Sequence, residues 1–394
     1  MQTVVLAAGK GARMGPLTDN APKPMLPVAG KPLVVHCLEH AIAAGASRLV
    51  VVVGHEADSI RTALADRDWD VPVTTVDQDE LRGTADAVRT AAPELDAEPF
   101  AVLNGDVLYD EASLAKLYTS GPAVGSFRVD NPSAYGVLRI EDGRVRAVEE
   151  KPADPQSNLV NTGAYVFPAA ALDWLAVGES DRGERELTDV LQRTCETDDV
   201  TAVPFDRWLD VGRPWELLAA NEWKLAELDR RIDGDVSPDA DLRGTVVVEA
   251  GATVEPGVVI EGPTYVGEGA HVGPNAYVRG STALGPDSRA GHAVELKNSV
   301  VMRDSAVPHL TYLGDSILGR DVNLGAGTAV ANLRHDDEPV ELTVKGERIS
   351  TGRRKFGIVC GDGVKTGINC TINAGVTLSS GARVGPGETV LRDR

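Results

Sequence analysis

A repeat with a period of six residues, which begins near Val246, constrains the fold more than any other feature of this 394-residue sequence. Nine aliphatic residues keep its register without interruption: Val248, Val254, Ile260, Val266, Val272, Val278, Leu284, Ala290 and Leu296. The register returns at Cys360, Thr366, Ile372, Leu378, Val384 and Val390. Hexapeptide repeats build a parallel β-helix, in which each coil stacks on its neighbours over a narrow aliphatic core. We therefore expect a β-helix over residues 235–394, interrupted at about 333–356 by a loop that contains a hairpin.

The first 230 residues have a different organisation, in which short apolar runs alternate with helical segments. The runs TVVLAA, RLVVVVG, FAVLNGD and GAYVFP predict strands, and HCLEHAIAAGA and TADAVRTAAPEL predict helices. This alternation indicates an α/β domain over residues 1–230 with a largely parallel sheet, where ligands bind beyond the carboxyl ends of the strands. The segment PWELLAANEWKLAELDRRI predicts a helical linker at about 213–232, which GDVSPD ends.

The composition argues against several classes of function. A formal net charge of −20 is unsuited to general nucleic-acid binding, which requires a basic face. No run approaches the roughly 20 apolar residues that span a bilayer, and the N-terminus has no basic segment before its apolar run. The four cysteines lack CxxC spacing, which predicts free thiols in a reducing compartment. We therefore expect a cytoplasmic protein with no nucleic-acid or membrane partner.

The loop LAAGKGARM follows the first predicted strand and is rich in glycine. It lacks the third glycine of the dinucleotide-binding fingerprint, because Met14 stands there, and the following residues are too rich in proline to open a helix. Backbone N–H groups of such a loop approach phosphate oxygens closely, and Arg13 and Lys23 add positive charge to an otherwise acidic protein. These features favour a site that cleaves a nucleoside triphosphate between its α and β phosphates.

Two aspartates are candidate metal ligands near this loop. Asp106, in FAVLNGDVL, comes just after a predicted strand, and Asp210 lies in WLDVGRP. Mg²⁺ prefers one or two carboxylates together with phosphate oxygens. Each aspartate alone is more often a turn or capping residue, but together with the basic loop they predict a magnesium site.

Seven stretches occur in the order typical of sugar-1-phosphate nucleotidylyltransferases, a family that nearly the whole first domain resembles: LAAGKGARMGPLT with PKPMLPVAGKP, QDELRGTADAV, LNGDV, YGVLRI, VEEKP, NTGAYVF and WLDVG. The resemblance implies a Rossmann-like mixed sheet and direct attack of a sugar phosphate on the α-phosphorus of UTP or dTTP. It implies catalytic roles for Arg13 and Lys23 and Mg²⁺ binding by Asp106 and Asp210. The residues implied to bind the nucleotide are Leu6, Ala7, Ala8, Gly9, Gln78, Gly83 and Thr84. Those implied to bind the sugar phosphate are Gly136, Glu150, Lys151 and Asn161.

A second group of polar residues interrupts the repeat around SAVPHLTYLGD, residues 305–315. Arg279 and Lys297 are eighteen residues apart, about one coil, so we expect them to stack and to hold an anion such as a sugar phosphate between them. His309 is the candidate base that removes the ammonium proton during acetyl transfer to an amine. Tyr312 and Asn323 are candidates to orient the sugar.

The stretches VELKNS, HLTYLGD and VNLGAGT resemble the acetyltransferase half of the bifunctional glucosamine-1-phosphate acetyltransferase and N-acetylglucosamine-1-phosphate uridylyltransferase family. The resemblance implies a left-handed β-helix, a homotrimer with active sites between subunits, and His309 as the general base. The residues implied to contact the sugar phosphate are Arg279, Lys297, Tyr312 and Asn323, and those implied to contact acetyl-CoA are Ala326 and Asn332. The chain departs from the bacterial pattern at Leu333, Ile368 and Pro386, and it looks more like an archaeal-type branch.

The inserted loop carries a basic tip formed by Arg353, Arg354 and Lys355. It predicts either a docking point for a phosphate of coenzyme A or of the sugar, or a solvated loop. For the whole chain we expect acetylation of glucosamine-1-phosphate, or of galactosamine-1-phosphate, and coupling of the product to UTP. One alternative is a single-activity glucose-1-phosphate uridylyl- or thymidylyltransferase whose β-helix serves assembly or regulation. The other is a non-catalytic sensor of sugar nucleotides.

Overall fold

A computed structural model describes residues 1–180 and 183–394. Its contacts divide the chain into two units. The first comprises Met1–Lys10, Pro22–Met25 and Pro32–Asp210, and the second comprises Gly11–Ala21, Leu26–Lys31 and Val211–Arg394. The division at Asp210 comes earlier than the boundary expected near residue 230, because the helix that follows packs with the second unit. Within the described residues, no helix is long and apolar enough to cross a membrane.

The elements of the first 210 residues alternate as the sequence predicts. In chain order they are β1 (Gln2–Leu6), β2 (Pro27–Val28), β3 (Lys31–Pro32), α1 (Leu33–Ala43), β4 (Arg48–Val53), α2 (Ala57–Ala65), β5 (Val73–Asp77), α3 (Thr84–Ala91), β6 (Phe100–Asn104), β7 (Val107–Tyr109), α4 (Glu111–Tyr118), β8 (Ala123–Arg128), β9 (Gly136–Glu141), β10 (Arg144–Glu150), β11 (Leu159–Phe167), α5 (Leu187–Thr197), β12 (Thr201–Pro204) and β13 (Trp208–Asp210).

Nine of these strands form one mixed sheet in the order β5-β4-β1-β6-β11-β8-β12-β10-β9. Strands β5, β4, β1 and β6 are parallel, and β11 runs antiparallel to β6. Successive residues of β1 face opposite sides, so Val5 packs in one core with Leu38 of α1, and Val4 packs in another with Val88 of α3. The Rossmann-like mixed sheet is confirmed, and its parallel half ends at the loops that the sequence marks.

The second unit contains helix α6 (Pro214–Ala226) and a long series of short strands. They are β14 (Arg231–Ile232), β15 (Asp235–Val236), β16 (Asp241–Arg243), β17 (Val246–Val248), β18 (Thr253–Val254), β19 (Val259–Glu261), β20 (Thr264–Val266), β21 (His271–Val272), β22 (Tyr277–Arg279), β23 (Thr282–Leu284), β24 (Arg289–His292), β25 (Glu295–Lys297), β26 (Val300–Val301), β27 (Ala306–His309), β28 (Tyr312–Gly314), β29 (Ile317–Leu318), β30 (Ala329–Val330), β31 (Glu341–Val344), β32 (Glu347–Ser350), β33 (Val359–Cys360), β34 (Lys365–Thr366), β35 (Thr371–Ile372), β36 (Thr377–Leu378), β37 (Arg383–Val384) and β38 (Thr389–Val390).

From β14 to β29, every third strand joins the same parallel sheet, which is the pattern of a β-helix. Two sheets have eight strands each, β14-β17-β20-β23-β26-β29-β33-β36 and β16-β19-β22-β25-β28-β30-β35-β38, and a third has the order β15-β18-β21-β24-β27. All nine aliphatic residues of the predicted register are buried in one core. The period of six is therefore confirmed as the rule that fills this core.

Two local predictions about the second unit have different outcomes. The inserted loop contains the predicted hairpin, because β31 and β32 pair antiparallel. The predicted linker helix, however, ends at Ala226, since Arg231 and Ile232 already pair with Val247 and Val248 as the first rung of the β-helix. The four cysteines are free, as predicted: Cys37, Cys195, Cys360 and Cys370.

Candidate active sites

In the first unit, a buried lysine meets two carboxylates. Lys23 begins a short 3₁₀ helix, and its side chain is only 6% exposed. Its Nζ atom lies 2.6 Å from Oδ2 of Asp106 and 3.5 Å from Oδ1 of Asp210. The structure thus brings both predicted metal ligands to one of the predicted basic residues.

Strand pairing explains why residues so far apart in the sequence meet. Strand β7 pairs antiparallel with β13 in a register that sets Asp210 opposite Val107, the neighbour of Asp106. Gly105 allows the turn before Asp106, because a Cβ atom there would lie 3.0 Å from the carbonyl oxygen of Leu6. Both aspartates therefore lie beyond the parallel strands, at the edge where α/β sheets bind ligands.

The charges of this cluster suit a divalent cation. Lys23, Asp106 and Asp210 together carry one negative charge, and the aspartate side chains keep 31% and 21% of their surfaces exposed. Among the described residues there is no group of three or more His, Cys, Asp or Glu side chains that could hold a metal. Two carboxylates are nevertheless the donor set that Mg²⁺ takes when water and phosphate oxygens complete its coordination, so the residues fit the predicted ion.

The three residues predicted to face the base lie together at the start of α3. Gln78 is buried, and its Nε2 donates to the carbonyl oxygen of Gly83 at 3.3 Å. Gly83 has φ +110°, and a Cβ atom there would lie 2.5 Å from the carbonyl oxygen of Arg185, so only glycine fits. The hydroxyl of Thr84 accepts a hydrogen bond from the backbone N–H of Leu187 at 2.9 Å.

A buried carboxylate that the sequence analysis did not find, Asp86, orients this group. It accepts hydrogen bonds from Nε2 of Gln78 at 3.2 Å and from Nη2 of Arg89 at 2.6 Å, and Arg185 lies 3.5 Å away. Burial favours the neutral acid, but the hydrogen bonds from Arg89 and Gln78 outweigh it and hold the pKa of Asp86 below its ordinary value. The sequence signal is weak because an acidic residue in the first turn of a helix is common.

The four residues predicted to bind the sugar phosphate also lie together. Gly136 and Glu150 are partners in the β9–β10 register. A Cβ atom at Gly136 would lie 2.2 Å from Nδ2 of Asn161, so only glycine leaves room for this buried amide. The Asn161 side chain is fixed by a hydrogen bond from the hydroxyl of Tyr165 at 2.9 Å. Lys151 lies 3.3 Å from Glu150 and is half-exposed.

The glycine-rich loop is divided between the units. Leu6 ends β1, Ala7 and Ala8 are buried, and a Cβ atom at Gly9 would meet no atom within 4 Å. Arg13 lies on a 3₁₀ helix and is exposed. It belongs by contacts to the second unit, so the first unit brings Lys23 to the aspartates without Arg13.

In the second unit, the predicted stacking of two cations is confirmed. Arg279 and Lys297 are partners in the register of β22 and β25. Each has its own carboxylate, with Arg279 Nη2 2.7 Å from Glu295 and Lys297 Nζ 2.7 Å from Asp315. Glu295 and Asp315 already neutralise the two cations, so the stack by itself does not require a bound anion, and anion binding there stays a prediction.

Asp315 is the centre of this cluster, although the sequence analysis gave it no role. It is 5% exposed and accepts hydrogen bonds from Nδ2 of Asn298 at 3.0 Å and of Asn332 at 2.5 Å. Asn332 also donates to the hydroxyl of Tyr312 at 3.2 Å, so it lies with the residues predicted for the sugar phosphate. Burial and the charge of Asp315 raise the pKa of Tyr312.

His309, Asn323 and Ala326 lie on another part of the β-helix. His309 is exposed at the end of β27, in register with His292, whereas Arg279, Lys297 and Tyr312 lie on a different sheet. The carbonyl oxygen of His309 accepts from the N–H of Gly327 at 2.9 Å, and that of Ala326 accepts from Asn369 at 2.8 Å. His309 and Ala326 therefore form one column along a corner of the coils. Asn323 forms a parallel β-bridge with Ala306, which lies in the same strand as His309.

The basic tip of the inserted loop is paired with carboxylates. Arg353 Nη1 donates to Glu222 at 3.2 Å, and Arg354 Nη2 lies 2.5 Å from Asp337. Lys355 pairs through its backbone with Leu333. The two arginines therefore do not present an unopposed positive patch.

Similarities to known proteins cover both units. A model of the nucleotidyl transferase family matches residues 2–227, and one of the GMPPB C-terminal domain matches residues 260–382. A bifunctional protein GlmU of Methanocaldococcus jannaschii is 37% identical over 100% of this chain and 95% of its own length. A bifunctional sugar-1-phosphate nucleotidylyltransferase/acetyltransferase of Sulfurisphaera tokodaii is 36% identical over 100% of this chain and 98% of its own length.

The first unit also has a structural relative. A Bacillus anthracis protein described as a candidate glucose-1-phosphate thymidylyltransferase, solved in complex with a sucrose, matches 57% of this chain and 94% of its own with a TM-score of 0.52 and 25% identity. The resemblance drawn from the motifs is therefore confirmed. The chain belongs to the nucleotidyl transferase family and, over its whole length, to the bifunctional sugar-1-phosphate nucleotidylyltransferase/acetyltransferases.

Proposed function

We propose that this chain acetylates glucosamine-1-phosphate with acetyl-CoA and transfers a uridylyl group from UTP to N-acetylglucosamine-1-phosphate, releasing pyrophosphate. The observation that carries the proposal is the convergence of Asp106 and Asp210 on the buried ammonium of Lys23. In such a cluster the ammonium group can balance the charge of a phosphate, and the two carboxylates can hold a divalent cation.

In the first reaction, Asp106 and Asp210 would hold Mg²⁺, which supplies charge neutralisation to the triphosphate. Lys23 and Arg13 would bind phosphate oxygens and stabilise the negative charge that develops on the oxygens of the α-phosphate and of the leaving pyrophosphate. The loop from Leu6 to Gly9 would bind the nucleotide, and its backbone is open at Gly9. The sugar phosphate attacks directly, so the residues position the reactants and form no covalent bond with them.

Binding of the base and of the sugar would use the other two groups of the first unit. Gln78, Gly83 and Thr84 would face the uracil, with Gln78 oriented by Asp86. Gly136, Glu150 and Asn161 would bind the sugar, and Lys151 its phosphate. The packing of the Asn161 amide against Gly136 supports this role, because a side chain at residue 136 would displace it.

In the second reaction, His309 would remove the proton from the amino group of the sugar, and Ala326 would lie along the bound acetyl-CoA. The exposure of His309 and its column with Ala326 support the proposal, since the base must reach the amine at the place where the amine attacks the thioester. Arg279, Lys297, Tyr312 and Asn323 would bind the sugar phosphate. Asn332, whose side chain donates to the hydroxyl of Tyr312, would contact acetyl-CoA beside the sugar phosphate.

The separation of His309 from the cation stack within one chain supports a site shared between subunits of a homotrimer. Leu310 and Ile368 lie near the His309 column and are 67% and 55% exposed, so both offer apolar surface beside the proposed base. We propose that a neighbouring subunit covers them. The free thiols favour the cytoplasm as the compartment.

Two assays on the wild-type protein test the proposal. Pyrophosphate release should require UTP, N-acetylglucosamine-1-phosphate and Mg²⁺, and a panel with dTTP, glucose-1-phosphate and galactosamine-1-phosphate fixes the specificity. Free CoA, detected with a thiol reagent, should appear with glucosamine-1-phosphate and acetyl-CoA. Pyrophosphate release without any CoA release would instead establish the single-activity alternative. Binding of sugar nucleotides without either product would establish the sensor alternative.

A further inference from the structure

We infer that the β-helix holds the nucleotide loop in place, and that Asp362 and Ser380 are positioning residues for nucleotidyl transfer. The inference rests on the proposed function, which assigns Arg13 and Lys23 to the triphosphate. Residues Gly11–Ala21, which carry Arg13, belong by contacts to the second unit, and Lys23 follows them in the chain. We call this segment the anchored loop.

Three side chains of the late coils hold the end of the anchored loop. Oδ2 of Asp362 accepts a hydrogen bond from Nδ2 of Asn20 at 3.3 Å, and Nη2 of Arg320 donates to the carbonyl oxygen of Asn20 at 3.3 Å. The hydroxyl of Ser380 donates to Oδ2 of Asp19 at 2.7 Å. Because these contacts reach both backbone and side chains, they fix the position of the loop as well as its direction.

The coil side of this contact is itself rigid. Asp362 is 17% exposed, and its Oδ1 accepts a hydrogen bond from the backbone N–H of Arg320 at 2.8 Å. Pro16 approaches the coil so closely that a Cβ atom at Gly361 would lie 2.9 Å from the Cβ atom of Pro16. The coil therefore offers a preformed surface to the loop.

Within the anchored loop, a hydrogen bond connects the end that contacts the coils to the turn that carries Arg13. The hydroxyl of Thr18 donates to the carbonyl oxygen of Gly11 at 3.1 Å. Met14 and Leu17 are buried, with 0% and 1% of their surfaces exposed. A shift at the end of the loop would therefore move Arg13, because the segment between them is packed and closed by a hydrogen bond.

The chain is also held after Lys23. The backbone N–H of Ala29 donates to Oδ1 of Asn221 at 3.0 Å, and Nδ2 of Asn221 donates to the carbonyl oxygen of Ser281 in the β-helix at 3.1 Å. Asn221 is fully buried, so these hydrogen bonds are shielded from water. The catalytic lysine thus lies, along the sequence, between two segments that the second unit fixes.

Under the proposed function, the coils that hold the anchored loop are positioning elements for Arg13, which lies in the same unit. Placing a phosphate-binding arginine is worth much of the rate in phosphoryl transfer, since catalysis there depends on position and charge. Loosening the anchored loop should weaken binding of the triphosphate while the acetyltransferase residues stay in place. Nucleotidyl transfer should therefore be impaired, and acetyl transfer should be unchanged.

The test replaces residues on each side of the contact. The variants Asp362→Ala and Asn20→Ala should each raise the KM for UTP about tenfold, by the cost of a misplaced binding group, and leave acetyl transfer unchanged. The double variant should be no worse than the worse single one, because both remove the same interaction. Asp321→Ala is the matched control. Asp321 follows Arg320 in the sequence, pairs with Lys365 at 2.8 Å and has no proposed role.

Hydrogen exchange supplies a readout that does not depend on turnover. Amides of Gly11–Ala21 should exchange faster in Asp362→Ala and Ser380→Ala than in the wild type, and not in Asp321→Ala. An active wild type with an unchanged KM for UTP in Asn20→Ala, which leaves the coil intact, would overturn the inference. Equal losses of both activities in Asp362→Ala and Asn20→Ala would also overturn it. A wild type that neither binds UTP nor releases pyrophosphate would instead refute the proposed function.

Discussion

Each unit contains a lysine against an aspartate, with side chains that are 6% exposed for Lys23 and 17% for Lys297, but the two lysines have different surroundings. Lys23 is approached by Asp106 at 2.6 Å and Asp210 at 3.5 Å, so two carboxylates share one ammonium. Lys297 lies 2.7 Å from Asp315 alone, and the other oxygen of that carboxylate accepts from Asn298. The first cluster keeps a negative charge that a cation can balance, whereas the second is neutral and its acceptors are occupied.

The difference follows from the two scaffolds. In the α/β unit, the carboxyl ends of strands deliver side chains from distant parts of the sequence to one edge, and the charges need not balance there. In the β-helix, every coil adds a residue directly above the previous one, so unbalanced charges would repel along the whole stack. A partner carboxylate in the next coil removes that repulsion. We therefore expect replacement of a carboxylate to reduce mainly the activity in the first cluster and mainly the stability in the second.

The largest effect should come from Asp106→Asn. The variant removes the charge of one proposed metal ligand and leaves Lys23 opposite a single carboxylate. Pyrophosphate release should therefore fall by roughly three orders of magnitude, the scale of metal-assisted charge stabilisation. Acetyl transfer by the same preparation serves as the control for folding. Turnover at the wild-type rate would remove Asp106 from the metal site.

His309→Ala should reduce acetyl transfer by roughly 100-fold or more, which is the contribution of a positioned general base. The matched control is His292→Ala, because His292 stands in register with His309 one coil earlier and has no proposed role. Release of CoA and of pyrophosphate should be measured on both variants. If His292→Ala lost as much acetyl transfer as His309→Ala, the loss would reflect the local structure of this corner of the β-helix, and the assignment of His309 as the base would fail.

The repeating half of the fold could be predicted from the sequence because its rule is local. A residue every six positions fills the core, so Val248 and Leu296 could be assigned without knowledge of the coils between them. The edge site of the first unit was predictable for a similar reason, since Asp106 directly follows a strand. Asp210 was a candidate ligand from its sequence context, but the pairing of β7 with β13, which brings it there, depends on contacts across the fold and was not predicted.

What the sequence could not reveal were the partners of charged residues. Asp86 and Asp315 lie in ordinary-looking helix and turn positions, yet each holds several polar side chains in place. Residue spacing correctly placed Arg279 above Lys297, but it could not show that Glu295 and Asp315 neutralise them. Burial and side-chain direction decide such pairings, and neither can be read from the amino-acid sequence alone.

Asp315→Ala should destabilise the β-helix by about 3–5 kcal/mol, the cost of leaving a buried partner unpaired. Lys297 would lose its counter-charge, and Asn298 and Asn332 would lose their acceptor. Thermal unfolding followed by circular dichroism should show the loss, with Asp321→Ala as the exposed-pair control worth about 0–1 kcal/mol. Equal melting temperatures for the two variants would mean that the second cluster is open, like the first, and would erase the contrast between the units.

The smallest effects should come from the basic tip, where the sequence left a phosphate-docking point and a solvated loop equally open. Arg354 pairs with Asp337 while both side chains stay more than half exposed, so Arg354→Ala should change neither the melting temperature nor the KM for acetyl-CoA. Arg353 is less exposed and pairs with Glu222, which also accepts from Asn298 beside Asp315. Arg353→Ala should therefore lower the melting temperature more than Arg354→Ala. A rise in the KM for acetyl-CoA in Arg354→Ala would show that a phosphate displaces Asp337 and that the tip belongs to the coenzyme site.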